Sequence, residues 1–562
     1  MIVSSDIKLS SGVDMKNSRA GASAAMFVAV LALPLMAACS GGGGGSSPPP
    51  PPPPPPPVSS GPTWTSGVFE AASQFKDQCA APRSGVDSEG TPFPDMAGSL
   101  LEENHWLRSW TNETYLWNTE VPDQNPASFS DRLTYFAQLR TGATTASGED
   151  KDDFHFSQPT AEYLEQRNST PKSGYGVSFA VFSNAIPRDY RVQYTEPNSP
   201  ASTVVSGQVN LARGTRILEV DGADLVNGNS QAAIDTLNNG LFPATAGEVH
   251  TFLVQDVGSA STRSITMTSA DIAPQPVNRT SIINTGTGDV GYILFNTFSP
   301  FSSEQDIANA ITSMKSAGIN DLIVDLRYNG GGLLTVASQL GYMIAGPAQT
   351  NGKTFELLQF NAAAGNVNPV TGAVNQPISF TNIGVGFSLA NGTPLDSLDL
   401  PRVFILSTPR TCSASEAVIN GLSGVDVEVV LIGSTTCGKP YGFYPTDNCG
   451  ETFYSIQFQG VNDKSFGDYA DGFVPNNSSF SFGVKLNGCA VGDDYSRELG
   501  DTNEALLAAA LNYRATGTCP APSATKPMAD ASYGTSNKTS VATTDLNPIE
   551  DVLANNRDMR TP

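Results

Sequence analysis

The sequence predicts a multidomain α/β protein in which a small helical domain and a β-rich domain precede a larger domain of parallel βαβ units. Three observations predict it. Apolar residues recur at helical spacing over residues 100–117, which hold three of the four tryptophans. From Tyr175 onward the pattern changes to the alternation of strands broken by glycine turns. Beyond residue 276, strand-like runs alternate with helical patterns, as crossover connections between parallel strands require. A chain of 562 residues also exceeds what one core can organise.

The first segment reads as an export signal. Lys16 and Arg19 precede an apolar run at 24–35 and then Met36-Ala37-Ala38-Cys39, the basic, apolar, small order of a secretory leader. The run is too short to span a bilayer as a mature helix. Met15 opens a better basic segment than Met1, so residues 1–14 read as an over-long start. The residues before Cys39 resemble a bacterial lipobox, which implies acylation of that cysteine and a lipid anchor in the cell envelope; Ser40 mildly favours the outer membrane. Gly41 to Gly45, two serines and ten prolines follow at 48–57, a tether whose proline part reaches roughly 30 Å at ~3.1 Å per residue.

Residues 63–165 form the helical domain, and residues 166–275 the β-rich one. In the latter, Tyr175-Gly176-Val177-Ser178-Phe179 reads as a strand entry, and Arg213-Gly214-Thr215-Arg216-Ile217-Leu218-Glu219-Val220-Asp221-Gly222 as a hairpin. These segments resemble a PDZ domain, with Thr215 at the usual aspartate. The resemblance implies a polypeptide ligand added as a strand beside Tyr175, Gly176 and Val177. Residues 276–519 make the largest domain. The stretch 520–562 is rich in Ser, Thr, Asn and Asp without apolar periodicity, and is expected to be disordered.

Composition excludes one class of partner. The formal net charge of −23 repels nucleic acid and anionic lipid. Apart from Cys39, six cysteines remain, an even number suited to disulfides in an exported chain, with fifteen pairings open. No Cys/His spacing suggests zinc, and no cofactor is implied.

Three strand patterns in the large domain end in unusual loops. Residues 321–326 run into Arg327-Tyr328-Asn329-Gly330-Gly331-Gly332; residues 403–406 lead to Cys412-Ser413-Ala414-Ser415-Glu416 and a helix; residues 427–432 lead to Gly438-Lys439. A right-handed crossover between the second and third strands puts their loops at one sheet edge, where Ser413 and Lys439 can meet. A serine needs a base. All three histidines, His105, His155 and His250, precede this domain, so the lysine is the simpler base, provided burial destabilises its ammonium. The N–H of Ala414, and backbone at Gly331 and Gly332, are candidate oxyanion donors. Ser415 is the rival nucleophile, better suited to capping or packing, and Glu416 either orients the site or caps the helix. The match of 433–439 to a phosphate loop fails, because Pro440 stands where the magnesium-binding hydroxyl belongs.

Together Asp325-Leu326-Arg327-Tyr328-Asn329-Gly330-Gly331-Gly332-Leu333-Leu334, the serine loop and Gly438-Lys439 resemble the core motifs of the carboxyl-terminal processing, or tail-specific, proteases. That resemblance covers roughly residues 170–515. It implies a crotonase-like, ClpP-type core, a Ser413–Lys439 dyad, and polypeptide substrates engaged near their carboxyl ends. Two departures stand out. Phe443 occupies the place of a glutamine thought to orient the lysine, and Cys412 and Cys437 flank the dyad, either bridged to each other or paired elsewhere. A rival expectation is a binding protein on the same fold that has lost catalysis.

Overall fold

The computed structural model describes residues 61–521 and 557–558. The leader, Cys39, the tether and most of the 520–562 tail lie outside the described residues. Among the described residues no helix is long and apolar enough to cross a membrane.

The N-terminal region is built on one long helix, α1 (Leu100–Thr114), which buries Trp106, Leu107 and Trp110. Trp106 and Trp110, four apart on one helix face, stack at 5.2 Å. Around α1 the chain is mostly irregular, with short 3-10 turns and the five-residue helix Arg132–Phe136. Phe453, from far along the chain, completes the core of this helical region. Strand β1 (Phe156–Pro159) likewise pairs antiparallel with residues 451–454, and Cys79 is bonded to Cys449. About a hundred residues with one long helix bury too little apolar surface to stand alone, so the region leans on its neighbour.

In the β-rich region, β2 (Val177–Ser183), β3 (Asp189–Thr195), β4 (Arg216–Val220), β5 (Val249–Gln255) and β6 (Thr262–Thr268) form an antiparallel sheet in the order β6-β5-β4-β3-β2. Helix α2 (Gln231–Leu241), capped by Ser230, turns Ile234, Leu237 and Leu241 onto it. Strand β2 is the edge of this sheet.

The large region holds a six-stranded sheet. Its strands are β7 (Val277–Ile283), β8 (Val290–Phe295), β9 (Asp321–Asp325), β11 (Arg402–Ser407), β12 (Glu428–Gly433) and β15 (Gly488–Ala490), with β10 (Gly332–Leu333), β13 (Tyr441–Gly442) and β14 (Glu451–Tyr454) outside it. The order is β7-β8-β9-β11-β12-β15, antiparallel only at β7–β8. Helices α3 (Ser302–Ala317), α4 (Leu334–Ala345) and α5 (Ala414–Gly424) cover one face and α6 (Ala505–Thr516) the other. With both faces covered, β8 and β9 are buried at every residue, as parallel strands usually are.

Strand β16 (Arg557–Asp558) pairs parallel with β10.

Candidate active site

Strands β9, β11 and β12 are parallel neighbours, so the loops that follow them meet at one edge. Main-chain bonds lock these loops together. Cys412 N–H donates to Asn329 C=O at 3.1 Å and Cys437 N–H to Thr411 C=O at 3.1 Å. A disulfide joins Cys412 to Cys437, with Cα atoms 5.2 Å apart. The remaining pair is Cys489–Cys519.

Ser413 sits on the sharp turn between β11 and α5 at φ 56°, ψ −110°. A side chain other than glycine held there costs about 1–3 kcal/mol and persists only where the surroundings impose it. They do: the residue is fully buried, and its N–H donates to Glu416 Oε2 at 3.0 Å. Among the described residues the Ser413 Oγ has no hydrogen-bond partner. Ser415 differs, since its hydroxyl donates to Asn329 C=O at 2.9 Å and ties the helix to the glycine loop.

Glu416 is buried and organises both loops. Its Oε2 accepts from Ser413 N–H and from Lys439 N–H at 2.8 Å; its Oε1 accepts from Gly438 N–H at 2.9 Å and from the Thr436 hydroxyl at 2.5 Å. Burial pushes this carboxyl above the ordinary glutamate range, and the donors from Thr436, Lys439, Gly438 and Ser413 pull against it.

Lys439 is also fully buried. Its Nζ lies 4.6 Å from the ring centroids of both Phe154 and Phe443. The residue in the usual glutamine position thus meets the lysine with a ring face. Phe154 comes from the N-terminal region; sequence reasoning missed it, because nothing in its neighbourhood marks a contact 285 positions away.

The glycine loop divides its labour. Gly331 N–H donates to Asn329 Oδ1 at 2.9 Å, so that donor is engaged within the loop. Gly332 has φ 129°, and a Cβ there would lie 2.3 Å from Ser299 N, so only glycine fits. Ala414 opens α5, where the helix leaves its first N–H groups without internal acceptors.

Two segments match family models: residues 289–445 match peptidase family S41, and residues 102–157 match the peptidase S41 N-terminal domain. Both matches point to the same peptidase family, S41. Among solved structures, an S41 protease of Bacteroides fragilis is 23% identical, with a TM-score of 0.55, over 76% of this chain and 98% of that one. At that identity the likeness is one of fold. The photosystem II D1 C-terminal processing protease is 17% identical over 70% of this chain and 94% of that one, at a TM-score of 0.38. No curated protein matches the sequence.

Within the segment that matches the S41 model, Arg327 is a buried strut. It donates to Asp325 at 3.0 and 2.9 Å, to Glu504 at 2.9 and 3.0 Å, and to Asp493 at 2.8 Å. Arg213, from the hairpin before β4, joins the same cluster through Asp493 at 2.8 Å and the Tyr328 hydroxyl at 2.6 Å. The β-rich region is thereby docked on the large region through buried charge. A cavity of about 610 Å³ lies along this junction, lined by Gly176, Val177, Phe242, Asn296, Tyr328 and Arg410. Tyr175 turns away from it: it is buried in the sheet core and its hydroxyl donates to Gly240 C=O at 3.1 Å. Neither amide atom of the buried Asn296 has a hydrogen-bond partner among the described residues.

Proposed function

We propose that this chain is a serine endopeptidase with a Ser413–Lys439 dyad, built on the crotonase-like core that the sequence resemblance implies. The observation that carries the reading is the contrast between the two serines. Ser413 is held in a strained turn with its hydroxyl uncommitted, whereas the Ser415 hydroxyl is spent on the Asn329 carbonyl.

In the proposed reaction, Lys439 as the neutral amine takes the Ser413 hydroxyl proton while Oγ attacks the scissile carbonyl. The oxyanion is received by Ala414 N–H, with Gly332 as the second donor. Gly331, whose N–H is engaged with Asn329, serves the loop's shape. Lys439 then gives the proton to the leaving amine, and water repeats the sequence on the acyl-enzyme. Glu416 is a positioning residue, because it binds the backbone of both dyad loops.

The β-rich region, read as PDZ-like, offers a polypeptide the edge of β2 and the cavity beside Gly176 and Val177. Substrates enter near their carboxyl ends in this reading, and the chain is held in the cell envelope by a lipid on Cys39.

The test is cleavage of an unfolded model protein with an apolar carboxyl terminus by the chain lacking its leader, compared with Ser413→Ala and Lys439→Ala. Loss of cleavage in both, with unchanged thermal unfolding, supports the dyad; full activity in Ser413→Ala overturns it. One observation favours the rival reading of a non-cutting polypeptide-binding protein: Phe443 presents a ring, where glutamine would present an amide, to Lys439. Under that reading the chain binds the model protein and leaves it whole, and Phe443→Gln gains cleavage.

A further inference from the structure

Asn296 is the first residue after β8, and the main chain on either side of it is fixed. Its N–H donates to Pro276 C=O at 2.8 Å, and Phe295 C=O accepts from Asn329 Nδ2 at 2.9 Å. Phe298 N–H donates to Gly331 C=O at 2.8 Å, and Phe298 C=O accepts from Leu333 N–H at 3.1 Å. Asn296 lines the junction cavity and is only 8% exposed, yet neither Oδ1 nor Nδ2 has a hydrogen-bond partner among the described residues. The amide of Gln166, on the helix Thr160–Arg167 at the same cavity, is in the same condition. Other polar groups of the wall are engaged: the Tyr328 hydroxyl with Asp493, Gln193 Nε2 with the Tyr495 hydroxyl, and Ser169 with Ser302.

A buried amide left unpaired costs free energy, so two of them on one wall call for a ligand that completes them. The amide group narrows the ligand, because it carries a donor and an acceptor side by side. A carboxylate offers acceptors only and an ammonium donors only; either would leave one atom of Asn296 unpaired. In an extended strand the N–H and C=O of one residue point to the same side, and a facing partner takes both bonds. Since Oδ1 and Nδ2 are both unengaged, the match holds with the amide in either orientation.

We infer that this cavity is a subsite for one residue of an extended polypeptide main chain, whose C=O accepts from Asn296 Nδ2 and whose N–H donates to Asn296 Oδ1. The same wall carries Gly176 and Val177 at the start of β2, Tyr328 of the glycine loop and Arg410 of the serine loop. A chain held there touches both the β-rich region and two loops of the candidate site. Asn296 thus selects a polypeptide by its backbone and is indifferent to the side chain at that position. The inference rests on the peptidase reading for calling that polypeptide a substrate; the binding itself does not depend on cleavage.

The test is a binding measurement on the chain carrying Ser413→Ala. The probe is a fluorescein-labelled octapeptide of non-repeating sequence with an apolar carboxyl terminus, together with analogues in which one peptide bond at a time is replaced by an ester, which removes the N–H without adding bulk. Asn296→Leu, close in volume, should weaken binding about tenfold. It should leave the melting temperature no lower, because the amide it removes has no partner to lose in the free protein. One ester analogue should bind the parent about tenfold more weakly than the peptide does, and that loss should vanish in Asn296→Leu. No binding to the parent, unchanged affinity in Asn296→Leu, or ester losses that are the same in both proteins would each overturn the inference. A lowered melting temperature accompanying the weaker binding would also overturn it, by making Asn296 a structural residue. With Ser413 intact, the loss in Asn296→Leu should appear as a KM raised about tenfold, since the contact is made in ground and transition states alike; an unchanged KM would remove the subsite from the path of substrate. If the intact protein cuts nothing, the peptidase reading fails, while the peptide titration still decides the subsite.

Discussion

The backbone amides of Ser413 and Lys439, residues from two different loops, donate to the same carboxylate oxygen of Glu416, at 3.0 and 2.8 Å. Ser413 and Lys439, the proposed nucleophile and base, are thus set by one buried side chain, whose other oxygen holds Gly438 and Thr436. Replacing it by alanine strands three buried N–H groups, each worth about 1–3 kcal/mol when unsatisfied. Glu416→Ala should therefore lower kcat by more than a hundredfold and destabilise the fold by at least about 3 kcal/mol. Glu416→Gln should keep more stability than activity, because an NH2 group then faces a backbone donor. Cleavage kinetics alongside urea unfolding separate the two effects.

The Cys412–Cys437 bridge closes a loop between residues 25 apart, for which chain entropy alone predicts about 3 kcal/mol of stabilisation. It also clamps the loops of Ser413 and Lys439 directly. The double substitution Cys412→Ala and Cys437→Ala should cost activity beyond what its stability loss explains, at temperatures where the protein remains folded. Removing Cys79–Cys449 should instead loosen the N-terminal region, with a smaller effect on kcat. Circular dichroism melts and initial rates on both variants check this.

Arg327 is fully buried among Asp325, Asp493 and Glu504. Taking away one partner of a buried ionic cluster leaves charge uncompensated, at a cost of about 3–5 kcal/mol. Arg327→Met should therefore destabilise the protein by that amount, although the residue belongs to the glycine-loop motif. A chemical denaturation midpoint that did not move would contradict this structural role.

Acid should act through the same cluster. Burial alone would raise the Asp493 carboxyl, but the guanidinium groups of Arg213 and Arg327 outweigh it and hold it below the ordinary aspartate range. A depressed folded pKa means the unfolded chain binds the proton first. Asp493 thus contributes stability that is fully present above about pH 4, the unfolded aspartate value, and is lost as pH falls through its folded value. Asp493→Asn should lower stability at pH 7 and flatten the acid side of the stability curve by up to one proton, measured as the melting temperature from pH 7 to pH 2.

By itself the sequence determined the local chemistry. Apolar runs bounded by glycine loops marked β9, β11 and β12, and the right-handed crossover rule put their loops on one edge before any contact was known. The different placements of Ser413, on the strand-to-helix turn, and Ser415, inside the first helical turn, were readable too. Only the tertiary structure decided what surrounds that edge. The ring of Phe154, the pairing of Cys412 with Cys437, the burial of Arg327 against Glu504 and the strand at Arg557–Asp558 all join positions that no local pattern relates. Periodicity and capping report what a residue does within its own turn or strand. Contacts across tens or hundreds of residues depend on how separate elements pack, and that information is spread over the whole chain.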